Sequence, residues 1–351
     1  MRIAYIIPSK RKTGPIMVVY ELVIQLKKLG HEIMVFYMDD VNHNCIDFPC
    51  ATKRISIMRR IELENYDVVH SHCFRGDMYV FLHKPLFRTN VKRTLYVTTI
   101  HSFFKIEHKQ TFNPIFAWVM TKIWIMFIKR HDKIAVLSKV AKDFYREWFD
   151  DSRMAVVYNS RSLQRRSLDD KEKTEILNFK ARIEGGVLLG INAVVNPIKG
   201  IDLAIKTLQL LSNAALFVVG DGPIVYDLIR LAESLGVSER VYFAGYHEDA
   251  YRYLPYYDVC LVPSRSEGFC LSLLEAVESK CKVVISDIPI FKELYSDDEV
   301  EFFKTDDVGS LTNAIINATL TDKTKAAYLR YKENYSPDKF VEGYLNLYQD
   351  S

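Results

Sequence analysis

The chain has 351 residues, of which 49% are hydrophobic and 26% charged, and its formal net charge is +3. This composition supplies apolar side chains for packed cores and excludes collagenous, low-complexity and intrinsically disordered classes. The length predicts two domains, because one domain typically holds about 100–200 residues.

The charge is unevenly distributed along the chain. Residues 1–175 carry 30 basic and 19 acidic side chains, whereas residues 176–351 carry 17 and 25. Such asymmetry predicts that the two halves face different partners, and the basic half suits anionic lipid or an anionic substrate. We expect no nucleic-acid partner, because no Lys/Arg-rich block is interleaved with aromatic residues.

The cysteines and the first residues predict a cytoplasmic protein. The six cysteines form no Cys-x-x-Cys pair, and the chain opens without a signal-peptide pattern. Both features are typical of the reducing cytosol. The longest apolar stretch, residues 114–128, is interrupted by Lys122 and is too short to be predicted as a transmembrane segment.

The first half alternates strand-like and helical patterns. Apolar strand-like runs occur at residues 3–7, 32–37, 67–70, 94–100, 133–137 and 154–157. Helical patterns lie between most of them, as at residues 17–29, 77–86 and 138–149. This alternation predicts right-handed βαβ units and a parallel sheet.

A charged segment then interrupts the alternation. Residues 159–186 show no buried strand, so we place the domain linker there. Strand-like runs resume at residues 187–191, 215–219, 241–244, 259–262 and 282–286, with helical patterns at 201–211, 224–235 and 271–279. The sequence therefore predicts an α/β protein with two tandem Rossmann-like domains, residues 1–165 and 175–335.

Two loops of the second half are candidates for binding, because doubly wound sheets bind ligands outside the carboxyl ends of their strands. Lys199 lies where residues 196–200 follow a strand and open a helix, which suits a pyrophosphate, although a solvated surface lysine is the alternative. Gly220 and Gly222 permit a close backbone approach, or merely an ordinary tight turn. No G-x-G-x-x-G follows the first strand, so nicotinamide or flavin binding is not expected.

The strongest constellation covers residues 266–275. Glu267 lies in a loop after a buried strand, Gly268 lets the backbone turn, and Glu275 follows eight residues later on a predicted helix that starts near Cys270. Two such carboxylates suit vicinal sugar hydroxyls, and the helix N-terminus suits a phosphate. The alternative is that Glu267 caps its own helix and Glu275 is solvated, and spacing alone leaves both possibilities open.

These residues resemble the signature of the family 4 glycosyltransferases of the GT-B fold. The resemblance covers nearly the whole chain, through residues 30–32 (Gly-His-Glu), 136–138 (Val-Leu-Ser), 157–159 (Val-Tyr-Asn), 196–200, 220–223 (Gly-Asp-Gly-Pro) and 340–348. It implies two Rossmann-like domains with a cleft between them. It also implies that a C-terminal helix, about residues 336–351, crosses back to the first domain.

The resemblance also implies site residues. Lys199 would hold the donor's pyrophosphate, Glu275 the ribose hydroxyls and Glu267 the sugar, while His101 would lie near the transferred sugar. The implied catalytic residues are His101, Glu267 and Lys199. The implied donor-binding residues are Gly14, Lys199, Gly220, Gly222, Glu267, Gly268, Phe269, Cys270, Leu271 and Glu275.

The implied activity is a retaining glycosyltransferase. It would move a hexosyl or N-acetylhexosaminyl group from a nucleotide-diphosphate sugar, a UDP-sugar, to a glycan acceptor linked to polyprenyl diphosphate. It would act in surface (capsular or exopolysaccharide) polysaccharide biosynthesis at the inner face of the plasma membrane, and the resemblance implies no metal or other cofactor. Two alternatives stay open, a UDP-sugar 2-epimerase of the same fold and a degenerate partner subunit without catalysis.

The sequence departs from the family pattern at three places. Val194 replaces the arginine that precedes the Lys-Gly loop, which puts one phosphate-binding cation in doubt. The glycine pair of the first loop is reduced to Gly14 and Pro15, and Ser160 replaces the glycine of the Asn-Gly entry to the linker. These departures motivate the degenerate-subunit alternative.

Two features of the first half stand outside that pattern. His70 and His72 share a face of a predicted strand and could form a metal pair, but two ligands are insufficient and packing is favoured. Residues 103–130 combine aromatic and basic side chains. We favour a helix packed into the first domain for much of this segment, with a patch that meets anionic lipid as a further hypothesis.

Overall fold

The computed structural model describes residues 1–41, 44–85, 94–104, 113–164, 166–183 and 185–349. It divides into two compact units. Unit 1 comprises Met1–Ser162 with Tyr335–Ser351, and unit 2 comprises Leu163–Asn334. Each unit is a parallel sheet with helices connecting its strands, so the predicted α/β fold with two Rossmann-like parts is confirmed.

Unit 1 contains a seven-stranded sheet in the order β3-β2-β1-β4-β5-β6-β7, and every paired strand is parallel. Its strands are β1 Arg2–Ser9, β2 Glu32–Asp39, β3 Ala51–Arg54, β4 Val68–His72, β5 Leu95–Ile100, β6 Lys133–Val136 and β7 Met154–Val156. The strand order reverses between β1 and β4. The carboxyl ends of these two strands therefore flank the crevice where doubly wound sheets bind ligands.

The described residues of unit 1 form five α-helices, two of which begin at a residue whose side chain caps the helix, Asn113 and Ser138. They are Gly14–Lys28, Cys73–His83, Pro114–Ile128, Lys139–Tyr145 and Pro337–Gln349. Gly30 follows the first helix with φ +81°, a left-handed conformation that glycine commonly adopts after a helix, and Ser138 caps the fourth by accepting from the N–H of Ala141. The short 3₁₀ helices are Leu63–Asn65 and Asp151–Arg153.

Unit 2 contains a six-stranded parallel sheet in the order β10-β9-β8-β11-β12-β13. Its strands are β8 Val187–Asn192, β9 Ala214–Val219, β10 Val241–Gly245, β11 Val259–Val262, β12 Val283–Ser286 and β13 Glu301–Phe303. Here the order reverses between β8 and β11. The loops that leave these two strands therefore form the corresponding ligand-binding position.

The helices of unit 2 are Asp170–Ala181, Ile201–Thr207, Val225–Ser234, Leu271–Glu278, Pro289–Leu294, Val308–Leu320 and Thr324–Asn334. Its 3₁₀ helices are Pro197–Lys199, Ser238–Arg240 and Ala250–Tyr256. The core between sheet and helices is built from buried aliphatic residues such as Leu189, Leu216, Leu261 and Ile315. Over the described residues, no helix combines the length and apolarity needed to cross a bilayer.

The structure corrects two details of the sequence analysis. The segment assigned as a linker contains the helix Asp170–Ala181, which begins with a capping box between Asp169 and Glu172 and buries Ile176 and Phe179. This helix buries only two apolar side chains, and most of its other residues are charged. The segment therefore has the sequence pattern of a solvated linker. Strands β3 and β13 were not predicted. All four residues of β3 are exposed, and β13 has only three residues, of which one is buried, so neither gives a long apolar run.

Candidate functional site

In unit 2, glycines let three loops meet at the carboxyl ends of β8, β9 and β11. A Cβ atom on Gly220 would lie 1.8 Å from the carbonyl oxygen of Ala193, and one on Gly222 would lie 2.1 Å from that of Val195. The N–H of Val195 donates to the carbonyl of Asp221 at 2.9 Å. Only glycine allows this approach, so the loop after β9 fixes the path of the loop after β8.

The next turn of the same loop is fixed from the other side. Gly200 has φ +64°, and a Cβ atom there would lie 2.0 Å from the carbonyl oxygen of Pro263, at the exit of β11. The residue before it is Lys199, the cation that the sequence predicts for a pyrophosphate. The left-handed glycine therefore sets where this lysine leaves the backbone.

Arg265 holds these loops together, and the sequence analysis did not single it out. Its guanidinium donates to the carbonyl of Pro197 at 2.6 Å, to both carboxylate oxygens of Asp202 at 2.9 and 3.0 Å, and to Asp306 at 2.6 Å. Bidentate arginine–carboxylate pairs combine charge with fixed geometry. The signal available in the sequence was a lone cation directly before Ser266 and Glu267.

The structure brings Lys199 and Glu267 into direct contact. The ammonium Nζ of Lys199 lies 2.6 Å from Oε1 of Glu267, which also accepts from the hydroxyl of Ser264 at 2.7 Å. The side chains of Lys199 and Glu267 are 22% and 9% exposed. The sequence-based alternative of a solvated surface lysine is therefore wrong, since Lys199 forms a largely desolvated ion pair.

The pair also sets the protonation of its lysine. Burial acts to lower the pKa of Lys199, but the adjacent carboxylate of Glu267 outweighs burial and raises this pKa above its ordinary value. Lys199 is thus a fixed positive charge at neutral pH. An ammonium carries three N–H donors. One of them serves Glu267, which leaves donors for the oxygens of an anionic ligand.

The helix Leu271–Glu278 follows this pair directly. Its N-cap residue, Cys270, provides no side-chain cap hydrogen bond within the described chain, and its first turn carries no acidic residue. The first N–H groups of a helix lack intrahelical partners and favour an anion. Glu275 lies half-buried one turn further along this helix, and Gly268, Phe269 and Leu271 lie in the segment around the helix start.

In unit 1, the predicted residue Gly14 is the first residue of the helix Gly14–Lys28, beyond the carboxyl end of β1. The N-cap residue Thr13 makes no side-chain cap hydrogen bond among the described residues. A Cβ atom on Gly14 would have no neighbour within 4 Å among them. The helix start is therefore approachable from outside.

His101 follows β5, at the same edge of the sheet. Its Nε2 lies 2.8 Å from Nδ1 of His72, the last residue of β4. His101 is partly exposed, but the surrounding protein removes enough solvent to lower its pKa to about 3. The imidazole is therefore neutral at physiological pH.

A buried hydrogen-bond chain backs this pair. His70 contacts the hydroxyl of Tyr348 at 2.7 Å through Nδ1 and that of Thr99 at 2.8 Å through Nε2, and Thr99 contacts Tyr344 at 3.0 Å. Both tyrosines belong to the terminal helix Pro337–Gln349. In the described part of the chain, no three His, Cys, Asp or Glu side chains are placed to hold a metal ion. His70 thus anchors the terminal helix of unit 1.

The opposite face of β4 carries a separate polar cluster around Asp77. This buried carboxylate accepts from Ser71 at 2.7 Å, Thr98 at 2.6 Å and Trp124 at 2.7 Å. Burial raises the pKa of Asp77 to about 6, against the lowering effect of these hydrogen bonds. The cluster joins four secondary-structure elements, β4, β5 and the helices Cys73–His83 and Pro114–Ile128.

Comparison with known proteins agrees with this architecture. Residues 14–165 match the family model "Glycosyltransferase Family 4", and residues 172–334 match the model "Glycosyl transferases group 1". The chain is 29% identical over 366 aligned positions to the O-antigen biosynthesis glycosyltransferase WclY of Escherichia coli, covering 100% of this chain and 98% of that protein. The chain belongs to the family 4 glycosyltransferases.

Two further similarities concern a sequence relative and a solved structure. The UDP-Gal:alpha-D-GlcNAc-diphosphoundecaprenol alpha-1,3-galactosyltransferase of Escherichia coli is 22% identical over 305 positions, with 83% of this chain and 76% of that protein covered. The crystal structure of HepE from Anabaena with UDP-glucose has a TM-score of 0.79 at 15% identity and full coverage of both chains. The predicted GT-B fold is confirmed by such structural similarity.

Two of the positions at which this glycosyltransferase departs from its family pattern, Val194 and Ser160, have different structural settings. Val194 is 61% exposed. Arg265 contacts the same loop at Pro197, but Asp202 and Asp306 neutralise its charge, so it does not replace the missing cation. Ser160 is buried and donates its hydroxyl proton to the carbonyl of Tyr335 at 2.6 Å. This serine therefore joins the two chain segments of which unit 1 consists.

Proposed function

We propose that this glycosyltransferase transfers a sugar from a UDP-sugar to a lipid-linked glycan in surface-polysaccharide biosynthesis, with retention of configuration. The observation that carries the proposal is the desolvated Lys199–Glu267 pair beside the uncapped start of the helix Leu271–Glu278. It combines a fixed cation, the N–H groups of a helix start and a carboxylate within one loop system. A nucleotide-diphosphate sugar needs these three functions.

The cationic part of the site fits the leaving diphosphate. In the transfer, the bond between the anomeric carbon and the diphosphate oxygen breaks, so negative charge grows on that oxygen. Lys199 and the N-terminus of the helix would stabilise this charge, as preorganised donors do in transition states. Gly220 and Gly222 hold the loop that precedes Lys199, so they act by positioning it.

The carboxylates suit the neutral parts of the donor. Glu267 is oriented by Lys199 and Ser264 and would accept from hydroxyls of the sugar, while Glu275 would accept from ribose hydroxyls. The backbone N–H groups of Phe269 and Cys270 would contact the same ligand. In unit 1, Gly14 would meet the donor phosphate and His101 the transferred sugar.

The relatives support the choice of donor and acceptor. HepE binds UDP-glucose in its crystal structure, and the galactosyltransferase relative is named for UDP-Gal and an acceptor on diphosphoundecaprenol. WclY acts in O-antigen biosynthesis. We therefore propose a hexosyl or N-acetylhexosaminyl group as the cargo and a polyprenyl diphosphate as the acceptor's anchor.

Retention follows from the proposed route. The acceptor hydroxyl would attack the face that the diphosphate leaves, and its proton would pass to the departing phosphate oxygen. Glu267 is already bonded to Lys199 and Ser264, which suits binding better than nucleophilic attack. NMR of the product would test this step, since an inverted anomeric configuration contradicts the route.

Nucleotide binding is the first experiment. Thermal stabilisation by UDP, GDP and their sugars would be compared among the native protein, Glu275→Ala and Glu233→Ala, whose exposed glutamate lies on the helix Val225–Ser234. We expect stabilisation by UDP and UDP-sugars that is lost in Glu275→Ala and kept in Glu233→Ala. Absence of stabilisation by every nucleotide would overturn the proposed function.

The helix Pro114–Ile128 supports association with the membrane that would hold the acceptor. It exposes Ile115, Phe116, Trp118 and Met126 by 79, 45, 63 and 46%. Apolar side chains that enter the interface and lysines that meet anionic headgroups are typical of peripheral helices, and Lys122 is exposed on the same helix. We propose that this helix docks on the cytoplasmic face of the membrane. Residues 105–112, which belong to the segment 103–130 of the sequence hypothesis, lie outside the described residues.

Co-sedimentation with vesicles tests this docking. We expect the native protein to bind vesicles rich in anionic phospholipid at low salt, and Trp118→Ser with Ile115→Ser to weaken this binding. Leu329→Ser, which changes an exposed leucine of the helix Thr324–Asn334, serves as the control. Equal binding by the native protein and the double variant would contradict the assignment of this helix.

A further inference from the structure

His72 is a buried residue that the proposed function does not use. It is the last residue of β4, has no exposed surface, and precedes Cys73, whose φ is +63°. A left-handed backbone at a residue other than glycine costs about 1–3 kcal/mol and persists only where the surroundings enforce it. The surroundings include Gly76, whose Cβ would lie 2.6 Å from the carbonyl of Ile6.

The ring of His72 is held between aromatic neighbours. The ring centroids of His70, His101 and Tyr5 lie 4.2, 5.1 and 5.9 Å from that of His72. Its Nδ1 contacts Nε2 of His101 at 2.8 Å. Its Nε2 is buried and has no hydrogen-bond partner among the described residues.

Both rings of this pair are neutral at physiological pH. Burial, together with the nearby rings of His70 and His101, lowers the pKa of His72 well below its usual value. A neutral imidazole has one N–H donor and one acceptor nitrogen. The contact between the two rings therefore has a direction, with one ring donating to the other.

The orphaned Nε2 of His72 selects this direction. If His101 donated, the proton of His72 would lie on Nε2, as a buried N–H without an acceptor. If His72 donates from Nδ1, the orphaned Nε2 carries only a lone pair. Buried N–H groups without a partner are rarer in proteins than under-satisfied acceptors, so the second arrangement is favoured.

We propose that His72 is a positioning residue that donates to Nε2 of His101 and thereby holds His101 as its Nδ1–H tautomer. His101 then offers an N–H donor through the nitrogen that makes no contact with His72. The part of this inference that concerns the sugar rests on the proposed function. The tautomer itself follows from the contacts of unit 1 alone.

This tautomer gives His101 a defined chemical role. An N–H group donates to a hydroxyl oxygen of the transferred sugar or to an oxygen that gains negative charge. It does not accept the proton of the acceptor hydroxyl, which requires a lone pair. His101 would therefore act as a neutral hydrogen-bond donor, and proton transfer would go to the leaving phosphate.

NMR of the native protein tests the tautomer directly. The protein would be labelled with ¹⁵N-histidine, and long-range ¹H–¹⁵N correlations of its nine histidines would be recorded at pH 7. His101→Gln and His72→Asn would assign the two rings. We expect Nδ1 to be protonated and Nε2 unprotonated in both; a proton on Nε2 of His101 would overturn the inference.

Kinetics of His72 variants test the positioning role. The amide of asparagine places an N–H near the position of Nδ1, whereas phenylalanine removes the donor and keeps the ring. We expect His72→Phe to lower kcat about 10- to 100-fold, with a smaller change in KM, because reacting groups tolerate little misplacement. His72→Asn should recover part of this loss.

His70→Phe is the matched control. It also removes a buried histidine of β4 but leaves the contact between His72 and His101, so the NMR signals of His101 should keep their positions. A change of tautomer in His70→Phe but not in His72→Phe would overturn the assignment. Failure of nucleotides to bind would refute the proposed function while leaving the tautomer measurement valid.

Discussion

The two units carry polar residues at equivalent edges of similar sheets, but these residues are ionised in unit 2 and neutral in unit 1. In unit 2, Lys199 and Arg265 are ionised and are compensated by Glu267, Asp202 and Asp306. In unit 1, the corresponding edge carries neutral histidines. Burial lowers the pKa of His101 to about 3 and that of His70 well below its usual value.

The two edges therefore suit different parts of a ligand. Fixed charges are useful where a ligand brings its own charge, as a diphosphate does. Neutral donors and acceptors are useful for hydroxyl groups, which carry no charge. The same parallel sheet thus provides two kinds of site, because the residues that follow its strands differ in charge.

The largest expected effect removes the fixed charge of unit 2. In Lys199→Met, Glu267 loses its cation and the proposed diphosphate site loses its counter-charge. We expect kcat/KM with a UDP-sugar to fall about 10²- to 10³-fold, as when one preorganised donor is lost. Lys325→Met, which removes an exposed charge from the same unit, should leave kcat/KM unchanged. Equal losses in both variants would show that only net charge matters.

A second prediction concerns the backbone that positions this charge. Gly200 and Gly236 have φ +64° and +67°, but only at Gly200 would a Cβ meet another atom, Pro263 O at 2.0 Å. We expect Gly236→Ala to lower the free energy of unfolding by about 1–2 kcal/mol through the left-handed backbone alone. Gly200→Ala should cost about 1–3 kcal/mol more because of overpacking.

Urea unfolding of the two variants measures this difference, and UDP binding measures its consequence. Gly200→Ala should bind UDP more weakly, because the turn before the helix Ile201–Thr207 carries Lys199. Equal unfolding free energies for the two variants would show that the loop relaxes away from Pro263 without cost.

A third prediction is that acid destabilises unit 1 before unit 2. Burial lowers the pKa of His101 and His131 to about 3 in the folded protein. Between about pH 6.5 and 3 these two histidines are therefore protonated in the unfolded chain but not in the folded unit. Stability is therefore complete above pH 6.5 and falls as the pH falls toward 3. Each histidine should account for a loss of about 2 kcal/mol between pH 6.5 and 5.

The protonation of Asp77 offsets part of this loss of stability at low pH. Its pKa of about 6 lies above that of an unfolded aspartate, so its contribution is complete at low pH and is lost as the pH rises through 6. The offset at pH 5 is about 1 kcal/mol, less than the effect of two histidines. In unit 2, burial acts to raise the pKa of Asp202, but hydrogen bonds from Arg265 and Lys206 outweigh burial and lower this pKa. The stabilisation that the ionised Asp202 gives to unit 2 is therefore lost only below about pH 4.

Hydrogen exchange at pH 7 and pH 5 measures the two units separately. After correction for the intrinsic effect of pH, the strands of unit 1 should lose protection at pH 5 while those of unit 2 keep it. Loss of protection in both units together would show that they unfold as one cooperative body.

The smallest expected effect concerns Ser160, which replaces the family's glycine. Ser160→Ala removes the buried hydrogen bond to the carbonyl of Tyr335 and should cost about 1 kcal/mol of unfolding free energy. Ser167→Ala, at an exposed position of unit 2, should cost nothing measurable. No change in Ser160→Ala would mean that the carbonyl of Tyr335 finds another donor.

The order of amino acids is enough to predict the alternation of strands and helices and, with the family signature, the fold. Apolar runs such as residues 3–7 and 259–262 predict buried strands because burial requires uninterrupted apolar side chains. The same principle explains why β3 and the helix Asp170–Ala181 were not predicted. Strand β3 is fully exposed, and the helix Asp170–Ala181 buries only two apolar side chains, so neither leaves an apolar run to detect.

Which polar groups lie in contact depends on the packing of the folded chain. Lys199 and Glu267 are 68 residues apart, and His72 and His101 are 29 apart, yet both pairs are in hydrogen-bond contact. No local sequence pattern indicates that Arg265 pairs with Asp202 or that a nitrogen of His72 is buried without a partner among the described residues. Strand order places distant loops side by side, and burial then sets the charge of the groups that meet there, which no local pattern of residues specifies.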